Sequence, residues 1–208
     1  LKGLRKQYEV GEDASPIEFV TGRVKPITSI IDKANKRGIP FDRLREEMYD
    51  IAGLRMMCQF VDDIDVVVNM LRQRQDFKVI EERDYINNTK QSGYRSYHVI
   101  IEYPIETLNG QKAILAEIQI RTLAMNFWAT IEHTLRYKYD GDYPAEIQHR
   151  LERAAEAAYL LDEEMSEIKD EIQEAQKYYS QKRAKNMTNE VWGCVILSCL
   201  KVIQNPML

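Results

Sequence analysis

The segment Ile114-Leu-Ala-Glu-Ile-Gln-Ile-Arg121 alternates with period two. Glu117, Gln119 and Arg121 therefore fall on one strand face with Leu115, and Ile114, Ala116, Ile118 and Ile120 on the other. A carboxylate, an amide and a guanidinium in a row are unremarkable on a solvated strand. On a β-branched strand that runs into helical sequence, they raise the question of what such a row is for. A second carboxylate, Asp50, precedes Ile51-Ala-Gly-Leu-Arg55, where the chain turns into another strand. Two carboxylates from separate elements of one sheet can share a hard cation such as Mg²⁺, which takes few protein oxygens and keeps room for substrate phosphates.

The neighbouring motifs are cationic. Thr21-Gly-Arg-Val-Lys-Pro26 sets Gly22, Arg23 and Lys25 at a helix N-terminus, a natural place for an anion. Lys90-Gln-Ser-Gly-Tyr-Arg-Ser-Tyr-His98 joins two cations, an imidazole and two tyrosines at a loop-to-strand junction. Alternation puts Tyr94, Ser96 and His98 on one face, and Arg95 and Tyr97 on the other. A tyrosine beside phosphate-binding cations suits a stacked purine. His98 and His133 share no zinc-ligand spacing, and no nucleophile–base pair stands out for covalent catalysis.

These residues need a sheet to hold them. Ser15-Pro16 predicts a short helix or turn into residues 18–22, with a helix after Pro26 carrying Ile27, Ile30, Ile31 and Ala34, ended by Gly38 and Pro40. Residues 42–50 read as helix and 54–60 as strand. Asp62 or Asp63 caps a helix with Val66, Val67, Met70 and Leu71. Strands follow at about 77–86, 94–103 and 112–121, the last two joined as a hairpin through Asn109-Gly110. A helix over 123–138 carries a polar face of Asn126, Thr130, His133 and Tyr137 opposite Leu123, Phe127, Ile131 and Leu135. Trp128 and Cys58 are expected in the core. From Pro144 to about Arg183 a long helix repeats Leu161, Met165, Ile168, Ile172, Ala175 and Tyr179 at 4-3-4-3-4, a heptad seam for its own domain or for another subunit.

The chain has 208 residues and a formal net charge of −4, which argues against wholesale nucleic-acid binding. Residues 145–183 hold ten Asp/Glu against six Lys/Arg, so the excess lies there and the first 140 residues remain free to build a basic site. Three cysteines without a CxxC pair fit a reducing compartment. No signal peptide is visible, and the apolar stretch 191–203 is too short and interrupted to span a bilayer. A cytoplasmic protein without a membrane partner is expected.

Thr21-Gly-Arg-Val-Lys-Pro26, Asp50-Ile-Ala-Gly-Leu-Arg55, Ser92-Gly-Tyr-Arg-Ser-Tyr-His98 and Glu117-Ile-Gln-Ile-Arg-Thr122, in this order, resemble the synthetase domain of the RelA/SpoT family, and within it the small alarmone synthetases of the RelQ type. The resemblance runs from about residue 1 to 183. It implies an α/β (α+β) fold, a nucleotidyltransferase-like mixed β-sheet flanked by helices, with a long C-terminal helix. Residues 1–143 would be the synthetase core, 144–183 the long packing or oligomerisation helix, and 184–208 an atypical apolar tail. The implied activity is transfer of the β,γ-pyrophosphate of ATP to the ribose 3′-OH of GDP or GTP, in the stringent response. Synthesis alone is expected, because His98, His133 and His149 are followed by Val, Thr and Arg rather than by the Asp of the family's hydrolase pair.

Carried over by that resemblance, Asp50 and Glu117 would hold Mg²⁺, with Glu117 also accepting the 3′-OH proton. Arg23 and Arg55 would clasp adenine, with Lys25 near the ATP phosphates. Tyr94 would stack on guanine, Asn126 and Gln119 would attend the acceptor, and Lys90 and His98 would approach its phosphates. RelQ-type relatives also imply a homotetramer that binds pppGpp or ppGpp allosterically, here through Phe19, Thr21, Gly22 and Lys2. A competing reading makes the chain a nucleotide- or single-stranded-RNA-binding regulator, with Arg23, Lys25 and Lys90 on the backbone and Tyr94 as stacking platform. The Asp50/Glu117 pair speaks against it, since RNA binding gains nothing from two carboxylates.

Overall fold

The computed structural model describes residues 1, 3, 5, 15–139 and 143–203, with side chains through residue 182 apart from those of 137, 138 and 181. Among the described residues, five strands form one mixed sheet in the order β1-β2-β5-β4-β3. They are β1 (Phe19–Val24), β2 (Ala52–Cys58), β3 (Lys78–Asp84), β4 (Tyr97–Thr107) and β5 (Gly110–Thr122). β2 and β5 run parallel, and the other neighbours are antiparallel. The helices are α1 (Ile27–Arg37), the single turn α2 (Leu44–Glu47), α3 (Val61–Arg72), α4 (Leu123–Lys138) and α5 (Ala145–Ile203). The mixed sheet flanked by helices, with a long last helix, agrees with the expected fold class.

β5 is central, and its two faces have separate jobs. Ile118 and Ile120 are fully buried and pack with Met56, Val99 and Ile101 under Ile64, Val67, Val68 and Leu71 of α3. A one-residue slip would drive Glu117, Gln119 and Arg121 into that core, so apolar packing on one face fixes the polar row on the other. The hairpin is tighter than expected: Thr107 pairs with Gly110 across two residues, and Gly110, which closes the turn, has a positive φ of 89° that glycine adopts without strain. α3 is capped from inside its first turn, where Asp63 Oδ2 accepts from the Phe60 amide at 3.2 Å.

One expectation changes: the helix expected over 42–50 is a 3₁₀ turn and one α-helical turn, which leaves Asp50 in the turn before β2. Of the short helix or turn expected at Ser15-Pro16, the structure has a non-helical bend, after which edge strand β1 is mostly exposed and carries no burial alternation. On α4, Trp128 faces inward as expected, together with Met125 and Ala129, while Leu123, Phe127, Ile131 and Leu135 are exposed.

α5 continues to Ile203, beyond the expected end. The chain divides into two units, Leu1–Glu164 and Met165–Leu208; the first holds the sheet, and the second is helical over its described residues up to 203. No helix among the described residues is long and apolar enough to cross a membrane.

Candidate active site

Strand register lays two rows of side chains across the polar face of the sheet. One runs Thr21, Arg55, Gln119, His98, Arg83, and the next runs Arg23, Gly53, Glu117, Ile100, Glu81. Above them lies a cleft of about 510 Å³ lined by Asp50, Glu117, Gln119, Arg23, Arg55, Tyr94, Lys90 and His98 among others. A smaller hollow beside it is lined by Thr21, Gly22, Arg23, Arg55, Asp50 and Glu117.

Asp50 enters this cleft from the turn before β2. Its Oδ2 accepts from Lys25 Nζ and from Lys33 Nζ, both at 2.6 Å. Burial works to raise the carboxyl's pKa, but the two ammonium groups outweigh it and hold Asp50 below the usual carboxylate range. Glu117 is nearly buried. Burial again pushes its pKa up, and again it loses: His98 Nδ1 meets Oε1 at 3.0 Å, Gln119 Nε2 donates to Oε2 at 2.9 Å, and the net shift is downward. Two carboxylates kept ionised in one cleft are a site for positive charge.

The opposite wall is built around Tyr94. Its hydroxyl meets His98 Nε2 at 2.8 Å and accepts from Arg121 Nη2 at 2.6 Å. Arg121 Nη2 also donates to Gln119 Oε1 at 2.9 Å, Nε to Ser96 Oγ at 3.2 Å and Nη1 to Asn126 Oδ1 at 3.4 Å. Glu117, His98, Tyr94, Arg121 and Gln119 thus close a ring of hydrogen bonds. Lys90 Nζ lies over the rings of Tyr85 and Tyr94, 4.3 and 4.9 Å from their centroids. Burial foremost, then the Arg83, Arg121 and Arg37 charges, lower the Lys90 pKa against the pull of Glu117. Arg55 is lowered in the same way, by burial and then by Arg121 and Arg23. A cleft that crowds cations at their own expense is prepared for a polyanion.

The loop that carries Tyr94 is gripped by α5. Gly93 has φ 82° and packs so closely that a Cβ there would stand 2.5 Å from the Ala155 Cβ. Arg95 stacks 4.1 Å from the Tyr159 centroid and pairs with Glu156 at 2.8 Å. Thr122 caps α4 by accepting from the Met125 amide and donates to Asp162 Oδ2.

Of the residues singled out in the sequence, Asp50, Glu117, Gln119, Arg23, Arg55, Tyr94, Lys90 and His98 come together in the cleft. Lys25 reaches it through Asp50, and Asn126 is tied to Arg121 instead of lining it. Thr21 and Gly22 border the smaller hollow, Phe19 is 36% exposed on the edge strand, and Lys2 and the Tyr137 side chain lie outside the described residues. Sequence reasoning missed Lys33, whose only signal is its spacing eight residues after Lys25, two turns along α1. It also gave no role to Arg121, although the residue stands in the alternating strand, nor to Tyr85, Arg83 and Arg37 of the cleft wall.

Residues 22–142 match the family described as the region found in RelA/SpoT proteins. The GTP pyrophosphokinase YjbM of Bacillus subtilis is 61% identical over 183 residues, covering 88% of this chain and 86% of that one. The small alarmone synthetase 1 of Bacillus subtilis bound to its product pppGpp superposes with a TM-score of 0.80 at 60% identity, over 83% of this chain and 88% of that one. The same enzyme bound to AMPCPP gives a TM-score of 0.72 at 56% identity, over 83% and 87% of the two chains.

Proposed function

The chain belongs to the family of RelA/SpoT proteins, and we propose that its cleft makes the alarmones ppGpp and pppGpp by moving the β,γ-pyrophosphate of ATP onto the ribose 3′-OH of GDP or GTP. This is GTP pyrophosphokinase activity, a cytoplasmic synthesis reaction of the stringent response. The observation that carries it is the pair of ionised carboxylates, Asp50 and Glu117, on the floor of a cleft walled by cations and a tyrosine.

Transfer of this kind needs positioned reactants and charge stabilisation, not a covalent nucleophile. Glu117, ionised and held by His98 and Gln119, accepts the 3′-OH proton of the acceptor. Arg23 and Arg55 clasp the adenine, and Lys25 and Lys33 reach the donor phosphates. Tyr94 stacks on guanine, with Asn126 and Gln119 at the acceptor and Lys90 and His98 at its phosphates. Hard oxygen donors suit Mg²⁺, and Asp50 Oδ2 already takes two positive groups at 2.6 Å, so Asp50 and Glu117 fit this metal. When bound, it would neutralise charge on the transferring phosphates.

Exposed apolar surface supports the reading of an assembly. Leu123, Phe127, Ile131 and Leu135 of α4 are exposed, as are Leu161, Met165, Ile168, Ile172 and Tyr179 of α5. Faces of this kind support a homotetramer, with 144–183 as part of its interface. Phe19, Thr21 and Gly22, immediately before Arg23, would bind product alarmone and set the adenine clasp.

Glu117→Gln tests the site. It is close to isosteric, so nucleotide binding by calorimetry should persist while synthesis is lost. Wild-type turnover in this variant would remove Glu117 from the chemistry.

A further inference from the structure

We propose that Arg121 is a positioning residue that ties the acceptor platform Tyr94 to the proton acceptor Glu117 through a closed ring of hydrogen bonds. The inference rests on the site reading above and adds a residue to it. Arg121 is 4% exposed, and every one of its nitrogens donates: Nη2 to the cleft residues Tyr94 and Gln119, Nε to Ser96 and Nη1 to Asn126. An arginine this buried, away from a carboxylate partner, is costly to keep unless its geometry is needed. Among the described residues, no carboxylate is one of its hydrogen-bond partners. Its charge instead lies 5.1 Å from the Tyr94 centroid.

Donor and acceptor chemistry then orders the ring. A guanidinium can only donate, so Arg121 Nη2 supplies the hydrogen at Tyr94 Oη and leaves the phenol's own proton for His98 Nε2, 2.8 Å away. With Nε2 accepting, the neutral imidazole carries its proton on Nδ1 and donates it to Glu117 Oε1 at 3.0 Å. On the other branch Arg121 Nη2 donates to Gln119 Oε1, which turns the Gln119 amide so that Nε2 donates to Glu117 Oε2. Both oxygens of Glu117 are thereby oriented from one guanidinium, through two different side chains. The same guanidinium holds Asn126 by Oδ1. Guanine placement and carboxylate placement are a single rigid unit.

Tyr94→Phe breaks the ring and leaves the stacking surface intact. Its kcat should fall about tenfold or more, the scale of a buried hydrogen bond left unmade, while KM for GDP stays within about threefold of wild type. Arg121→Gln cuts both branches, so kcat should fall and KM for GDP should rise together, by about tenfold each on the same scale, with KM for ATP within about twofold. For Arg121→Gln, a merely structural role would lower the active fraction and leave both KM values alone; for Tyr94→Phe, it would leave the His98 tautomer unchanged. Independently of turnover, ¹⁵N spectra of the unliganded full chain report the His98 tautomer among its three histidines. Wild type should show Nδ1–H alone, and Tyr94→Phe a mixture. Tyr94→Phe removes one oxygen and carries the test even where Arg121→Gln does not fold. Wild-type kcat in Tyr94→Phe, or Nε2–H in wild type, overturns the inference. Turnover by Glu117→Gln would instead overturn the site reading, and the His98 spectrum would still judge the ring.

Discussion

Gly93→Ala should displace the guanine platform, and with it the hydrogen-bond ring that reaches Glu117. Two costs can be worked from the structure. Alanine at φ 82° pays about 1–2 kcal/mol for the left-handed backbone. Its Cβ would also stand 2.5 Å from the Ala155 Cβ, which forces loop and helix apart at about 1–3 kcal/mol, the usual scale of overpacking. Together these give about 2–5 kcal/mol, and the lighter partner, the loop with Tyr94 and Arg95, is the part that moves. KM for GDP should therefore rise about thirtyfold or more, with KM for ATP nearly unchanged. Ala155→Gly removes the atom struck, at about 1 kcal/mol of helix propensity. In the double variant the overlap vanishes and only the backbone and propensity terms remain. A double-mutant cycle on KM for GDP and on thermal unfolding should then show about 1–3 kcal/mol of rescue. Wild-type KM in Gly93→Ala, or strictly additive losses in the double variant, would refute the grip of α5 on this loop.

Asp162 is buried, and burial, only partly offset by Thr122, raises its pKa from 3.8 to about 6. A carboxyl whose folded pKa is raised binds its proton more tightly when folded, so its contribution is best below about pH 4 and is lost as pH rises through 6. Asp162→Asn keeps an acceptor for Thr122, and should raise stability at pH 8 by up to about 3 kcal/mol in chemical denaturation while flattening the pH 4–6 slope. Unchanged stability at pH 8 would count against a buried, ionised Asp162. Lys33→Met should lower ATP-dependent turnover about ten- to hundredfold in steady-state kinetics, leaving GDP affinity intact; an effect on GDP alone would place Lys33 on the other substrate. Phe19→Ala should keep basal synthesis and tetramer mass in light scattering, yet lose activation by added pppGpp; full activation would remove Phe19 from that site.

Much of the site was legible because β5 writes its function as alternation. Glu117, Gln119 and Arg121 had to share a face once Ile118 and Ile120 were inside, and α4 begins at Leu123, where the strand pattern stops. Tyr94 and His98 were likewise placed together by parity. The rest depended on contacts that no local pattern encodes. β1 is an exposed edge strand whose partner lies thirty residues on, and no alternation marks it. Lys33 looks like any solvated helical lysine until α1 brings it to Asp50. The apolar stripe of α4 obeys helical periodicity and stays exposed, while Trp128, expected in the core, and Ala129 pack against α5 from another face. Arg95 and Gly93 reach α5 across about sixty residues of chain, which sequence spacing does not show.

Intact transfer of a pyrophosphoryl group from ATP to a guanosine 3′-hydroxyl leaves a distinct distribution of label. Label tracing reads this directly: the purified chain is incubated with Mg²⁺, GDP and ATP carrying phosphorus label at either the α or the γ position, and the products are separated by ion exchange. The γ-label should appear in a guanosine tetraphosphate and the α-label in AMP alone, in equal amounts. Label from the γ position appearing as free phosphate, or in GTP alongside ADP, would contradict intact transfer.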